Sequence, residues 1–75
     1  MARLKYTVMI EKGEHSYGAY VPDLPGCVAV GDSPEQVTDL IREAIALHLE
    51  GMLEDGEPIP PPTTHSIEIE TQVAA

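Results

Sequence analysis

The stretch VPDLPGCVAVGDSPEQV, residues 21–37, decides the fold because it ends one strand, begins another and opens a helix. Pro22 has no amide hydrogen to donate to a sheet, so the strand before it is predicted to end there. Pro25 followed by Gly26 predicts a type II turn, since proline fixes the first φ and glycine accepts the positive φ of the next position. The sequence therefore predicts a stiff elbow between two antiparallel strands.

The second half of this stretch is typical of the start of a helix. Ser33 suits the N-cap, Pro34 suits the first helical position and Gln36 suits the third, which is the pattern of a capping box. Apolar residues then recur at helical spacing, so the helix is predicted to run to about Asp55. Gly56 is suited to the C′ position, and the EPIPPP that follows predicts an extended, semi-rigid connector.

Alternating apolar and polar residues predict strands at LKYTVMI (4–10), YGAYV (17–21), CVAVG (27–31) and HSIEIETQV (65–73). The order is β-β-β-α-β, which belongs to the α+β class. The first three strands would form an antiparallel meander, and a right-handed crossover through the helix would place the fourth strand parallel to the first. We therefore expect one domain, residues 1–75, with a four-stranded mixed sheet in the order 3-2-1-4 and the helix packed on one face.

The small size of the chain limits its hydrophobic core. A domain of 75 residues buries only about 60% of the surface that its unfolded chain exposes, and this sequence contains no Phe and no Trp. We therefore expect a homo-oligomer. Cys27 is the single cysteine, which points to a reducing compartment, and the longest apolar run is too short to span a bilayer. These features predict a soluble, cytoplasmic protein that does not bind a membrane.

The charge of the chain is strongly acidic, with 13 Asp and Glu against 4 Lys and Arg. Such a charge repels phosphate backbones, so direct binding of nucleic acid by this chain is not expected. Four acidic residues of the predicted helix share one face, and they are Asp39, Glu43, Glu50 and Glu54. Two interpretations stay open, a solvated outer face and a docking stripe for a basic protein partner.

Catalytic and metal-binding signals are weak in this sequence. His48 lies on the apolar face of the predicted helix, but no second ligand follows at metal spacing, so a core or interface histidine is the favoured interpretation. Asp23 and Asp32 lie at a turn and at a helix entry, where local hydrogen bonding explains them. We therefore predict no enzymatic activity, no metal and no cofactor.

Three segments together, VPDLPGC, GDS at the helix entry and LEDGEPIP at the helix exit, make the chain resemble the HicB-like antitoxin family from Tyr6 to Val73. The resemblance implies a partial ribonuclease-H-like fold. It also implies a partner, HicA, a small basic toxin that cleaves messenger RNA through a histidine and is occluded by the antitoxin. Many such antitoxins continue into a DNA-binding domain, whereas this sequence ends at Ala75, so a stand-alone member is expected.

Three functions are therefore compared. In the favoured hypothesis the chain neutralises a HicA-type toxin. The second is an orphan, oligomeric regulatory or assembly domain that binds another partner, and the third and weakest is a metal-dependent nuclease, because the core-facing strand positions are apolar. For the favoured hypothesis we expect the partner to contact the elbow and the acidic helix face, at Asp23, Leu24, Asp39, Glu43, Glu50 and Glu54.

Overall fold

The computed structural model describes residues 3–74, which form three strands and one helix in the order β-β-β-α. The strands are β1 (Met9–Lys12), β2 (Tyr17–Tyr20) and β3 (Val28–Gly31), and the helix is α1 (Pro34–Glu54). Both strand pairs are antiparallel, and the sheet has the order β1-β2-β3. The predicted meander and the predicted helix are confirmed.

The first strand begins later than the predicted residue 4, because its partner strand ends first. Met9 lies opposite Tyr20, the last residue of β2. The chain then passes through Val21 to Pro22, which has no amide hydrogen and cannot extend the ladder. Residues 3–8 therefore precede β1 without belonging to the sheet.

The elbow after β2 has the predicted turn, although one of its side chains is not where we expected. The amide of Cys27 donates to the carbonyl of Leu24 at 3.0 Å, and Gly26 has a φ of 86°, as a type II turn requires. The amide of Val21 donates to the carbonyl of Cys27 at 3.2 Å and closes the elbow. Leu24, which the sequence predicts to be a partner contact, is 0% exposed, so its side chain lies in the core and does not project from the elbow. Without a periodic pattern around it, a leucine between two prolines gives no sign of the side to which it points.

Both ends of α1 follow the predicted chemistry. The Oγ of Ser33 accepts a hydrogen bond from the amide of Gln36 at 3.0 Å, and the side chain of Gln36 accepts one from the amide of Asp32. The reciprocal bond of the capping box is therefore displaced by one residue toward the N-terminus. At the other end Gly56 has a φ of 70°, and its amide donates to the carbonyl of Leu53 at 3.2 Å. This left-handed glycine ends the helix.

The core lies between α1 and the inner face of β2 and β3. Its fully buried side chains come from β2, the elbow and the helix, and they are Ala19, Val21, Leu24, Cys27, Val37 and Ile41. Gly31 allows the end of β3 to approach the helix closely, since a Cβ atom there would lie 2.8 Å from the backbone nitrogen of Val37. The elbow thus forms part of the core.

The predicted fourth strand is absent from the described chain, so the four-stranded mixed sheet with the order 3-2-1-4 is wrong. Residues 57–74 contain no helix or strand. Ile67, Ile69 and Val73, which would form the apolar face of that strand, are 74%, 76% and 83% exposed. The alternating pattern indicates that residues 65–73 are able to form a strand, but it does not specify a neighbour to pair with.

Within residues 3–74 nothing covers the outer face of the sheet, opposite α1. Cross-strand partners in an antiparallel sheet point to the same face, so Met9, Tyr20 and Val28 form one row there. Val30 lies beside them, and all four side chains are exposed.

Candidate functional site

The four acidic residues predicted to form a stripe are all exposed on α1, and we call them the acidic face: Asp39, Glu43, Glu50 and Glu54. Their spacings of four and seven residues place them on one side of a helix. Arg42 donates to a carboxylate oxygen of Asp39 at 3.2 Å, in an exposed i,i+3 pair. The acidic face therefore projects into solvent along most of the helix.

The arrangement of these charges does not stabilise the helix. Glu43 lies four residues after Asp39 and Glu54 lies four residues after Glu50, and like charges at this spacing repel each other. The last turn of α1 contains no basic residue, although the helix dipole favours positive charge there. Helix stability therefore does not explain the acidic face, which leaves both a solvated outer face and a docking surface open.

Two exposed leucines flank the acidic face and were not singled out as candidate contacts from the sequence. Leu47 is 69% exposed and Leu53 is 67% exposed. At 100° per residue they lie on either side of the acidic residues, so the helical spacing alone could have identified them. Apolar side chains surrounded by charge are common where one protein docks on another. The acidic face and these two leucines form one amphipathic surface.

The elbow holds the connector that follows the helix. One carboxylate oxygen of Asp23 accepts hydrogen bonds from the hydroxyls of Thr63 and Thr64, at 3.1 Å and 2.8 Å. The other oxygen accepts from the amide of Thr64 at 2.9 Å. We call this arrangement the threonine clamp. It joins residues that are 40 and 41 positions apart, which no local pattern in the sequence indicates.

Two residues before β1 extend the clamp. The hydroxyl of Tyr6 donates to the carbonyl of Pro60 at 2.5 Å, and that of Thr7 donates to the carbonyl of Thr64 at 2.7 Å. The amide and hydroxyl hydrogen bonds from Thr64 hold the pKa of Asp23 below its usual value, with a smaller contribution from Thr63. Burial, followed by the charge of Asp23, raises the pKa of Tyr6.

Replacing Asp23 with alanine is expected to release the connector. Alanine has no acceptor oxygen, so the hydrogen bonds from Thr63 and Thr64 are all lost. Because the pKa of Asp23 is lowered in the folded state, the clamp contributes stability above about pH 4 and loses it as the pH falls through the folded pKa. Hydrogen exchange at the amide of Thr64 measures this, and we expect its protection to fall in the variant.

Asp32→Ala is the matched control for this change, because the side chain of Asp32 is exposed beside the helix entry. We expect it to leave the exchange at Thr64 as it is in the parent protein. Equal protection of Thr64 in the parent and in Asp23→Ala, at neutral pH, would contradict the threonine clamp.

The predicted site residues thus occupy three different environments. Leu24 is in the core, Asp23 binds the connector, and the acidic face lies on the solvent side of α1.

The residues considered for catalysis or metal binding show no such site in the described part of the chain. His48 is half-buried, and burial raises the pKa of the Cys27 thiol, which disfavours its reactive thiolate form. Among residues 3–74 no three His, Cys, Asp or Glu side chains are grouped so that they could hold a metal ion. The described helix is not long and apolar enough to cross a bilayer.

Comparison with known proteins gives consistent matches. A family described as "HicB_like antitoxin of bacterial toxin-antitoxin system" matches residues 6–74. An uncharacterized 14.9 kDa protein of Haemophilus phage HP1 is 46% identical over 73% of this chain, but the match covers only 41% of the phage protein. A UPF0150 protein of Thermoplasma acidophilum is 40% identical over 76% of this chain and 84% of its own length.

A solved structure is also similar to this fold. One chain of a structure described as the HicA3 and HicB3 toxin-antitoxin complex superposes with a TM-score of 0.68 and 32% sequence identity. The match covers 79% of the present chain and 70% of the other one.

Proposed function

Because the chain belongs to the HicB-like antitoxin family of bacterial toxin-antitoxin systems, we propose that it binds a HicA-type toxin and neutralises it by covering the toxin's active surface. The observation that carries this proposal is the structural similarity to a chain of a HicA–HicB complex. The toxin would be a small basic protein that cleaves messenger RNA. Its neutralisation requires binding by the antitoxin and no chemistry.

The acidic face supports this choice of partner. A basic protein is attracted by a formal charge of -9 and is oriented by the carboxylates that follow one side of α1. Leu47 and Leu53 would add apolar contacts within the same surface. The acidic residues would act mainly on the rate of association, whereas the leucines would slow dissociation.

The elbow is proposed as a second contact. The exposed Pro22 and Pro25 flank Asp23, and the backbone hydrogen bonds of the elbow fix its shape before any partner arrives. A preordered contact loses little conformational entropy on binding. In this proposal Leu24 contributes indirectly, because its buried side chain holds the elbow against the core.

We further propose that the chain has no nuclease activity and that it acts as a homo-oligomer. The strand positions on the helix-facing side of the sheet offer no carboxylates to metal ions, since they are Ile10, Lys12, Tyr17, Ala19, Ala29 and Gly31. The exposed apolar row on the outer face of the sheet supports a larger assembly.

Co-expression in bacteria tests the toxin partner directly. The toxin to co-express is a short, basic, HicA-like protein encoded in a reading frame beside the gene, where the genome contains one. Inducing the toxin alone should arrest growth, and inducing both proteins should restore it. An inactive toxin with its key histidine replaced is the control, since it should leave growth unaffected in either case. Continued arrest despite soluble, folded antitoxin would contradict the proposal.

A further inference from the structure

An open groove lies between β1 and α1, with a volume of about 180 Å³. Its lining is aliphatic except for Thr38 and Arg42, and it comprises Val8, Ile10, Thr38, Ile41, Arg42 and Ile45. The neighbouring core is closely packed on β2 and β3, whereas this side of the helix is not filled. The groove therefore provides a site for aliphatic side chains from outside the fold.

One edge of the sheet is free beside this groove. β1 pairs with β2, and in the described residues nothing pairs with its other edge. A free edge presents backbone donors and acceptors that an extended segment can join. A segment bound along β1 would place every second side chain over the groove.

Residues 65–73, HSIEIETQV, have the alternating pattern of a strand that could bind there. Within the described residues they pair with no other strand. Ile67 and Ile69 are two positions apart and would point to the same side of a strand, with Glu68 and Glu70 on the other side. About three quarters of each isoleucine side chain faces water. Two such exposed residues and an unfilled aliphatic groove of suitable size occur in the same small protein.

Thr64, the residue before this segment, is held in place, and the segment itself extends away from the sheet and the helix. The threonine clamp and the bond from Thr7 hold Thr64. The chain after it is exposed to residue 74, and the molecule measures 54 Å along its longest axis but only 27 Å and 19 Å across. The ten residues 65–74 can reach about 33 Å when extended. They can therefore reach another molecule.

Charge favours a second copy of this chain as the occupant of the groove. The four basic residues of the sequence are Arg3, Lys5, Lys12 and Arg42. Arg42 lines the groove and is paired with Asp39, and the other three lie in β1, beside Glu11, or in the exposed residues that lead to it. All the basic side chains of the sequence are therefore near this edge, where they can attract an acidic segment such as the one carrying Glu68 and Glu70.

We propose that residues 65–73 of one copy bind along the free edge of β1 in a second copy and insert Ile67 and Ile69 into its groove. The exchange is reciprocal, because each chain carries both the segment and the groove, and it gives a two-fold symmetric dimer. Within each chain the sheet keeps its three strands. This inference rests on the proposed homo-oligomer and is independent of the toxin.

The mass of the protein in solution, measured by light scattering at micromolar concentration, tests this dimer. The parent protein should have twice the chain mass, and the variant Ile67→Asp/Ile69→Asp should be a monomer with an unchanged circular dichroism spectrum. Leu47→Asp/Leu53→Asp is the matched control, since it alters two equally exposed leucines on α1 and should remain a dimer. A monomeric parent would overturn the homo-oligomer and this inference together. A dimeric Ile67→Asp/Ile69→Asp variant would overturn the inference alone.

Cross-linking between different chains tests the position of the segment. A chain with Ile10→Cys is mixed with a differently tagged chain with Ile69→Cys, both in a Cys27→Ala background. We expect a disulfide that joins the two tags, and no such product when Glu14→Cys replaces Ile10→Cys. A disulfide formed within one chain that carries both Ile10→Cys and Ile69→Cys, without a product joining the two tags, would overturn the exchange.

Discussion

Replacing Leu24 with alanine is expected to lower the free energy of unfolding by about 2–5 kcal/mol, because it leaves a cavity beneath the elbow. The side chain is fully buried against the core residues of β2 and α1. A domain of 75 residues has a total stability of only about 4–11 kcal/mol. The variant should therefore lose a large share of its stability and unfold at a clearly lower urea concentration than the parent protein. Urea denaturation followed by circular dichroism measures the loss.

Leu53→Ala is the matched control for this change, since it removes the same atoms from a side chain that is 67% exposed. We expect a change within about 0.5 kcal/mol, which is usual for a surface substitution. If Leu24→Ala were as mild as Leu53→Ala, the elbow would not be part of the core.

Reversing charge on the acidic face is expected to have the largest effect on binding. The variant Glu43→Lys/Glu50→Lys should slow association with a HicA-type toxin by about tenfold or more, because it removes long-range attraction over the docking helix. The association rate of the variant should also depend less on salt. Surface plasmon resonance at two salt concentrations measures both effects. Dissociation should change less.

The control is Glu11→Lys/Glu14→Lys, which makes the same change in net charge at the β1–β2 hairpin. We expect this control variant to slow association much less, since it removes only the contribution of Glu11 and Glu14 to the overall electrostatic attraction. Equal slowing by both variants would show that net charge matters and that the acidic face is not the docking surface.

Features that depend on neighbours in the sequence could be predicted, and features that depend on distant partners could not. Ser33 and Gly56 define the ends of the helix through hydrogen bonds within a few residues, and the turn at Pro25 and Gly26 is equally local. Leu24 could not be placed, because no periodicity surrounds it. The threonine clamp could not be found either, since its residues are 40 and 41 positions apart.

The predicted fourth strand also depends on a distant partner, which its own sequence does not specify. Apolar and polar side chains alternate in residues 65–73, which predicts a strand that pairs with another strand of the same chain. Alternation reports which side chains share a face, but pairing also needs an edge within reach and in the right direction. In the structure the clamp fixes Thr64, and the residues after it leave the sheet.

The central claim is that this chain is an antitoxin that acts by binding. The most direct test is to titrate the purified chain into an assay in which the purified HicA-type toxin cleaves RNA. Cleavage should fall to background as the chain approaches a stoichiometric amount, and the chain alone should cleave nothing. Undiminished cleavage in the presence of a large molar excess of folded chain would contradict the account.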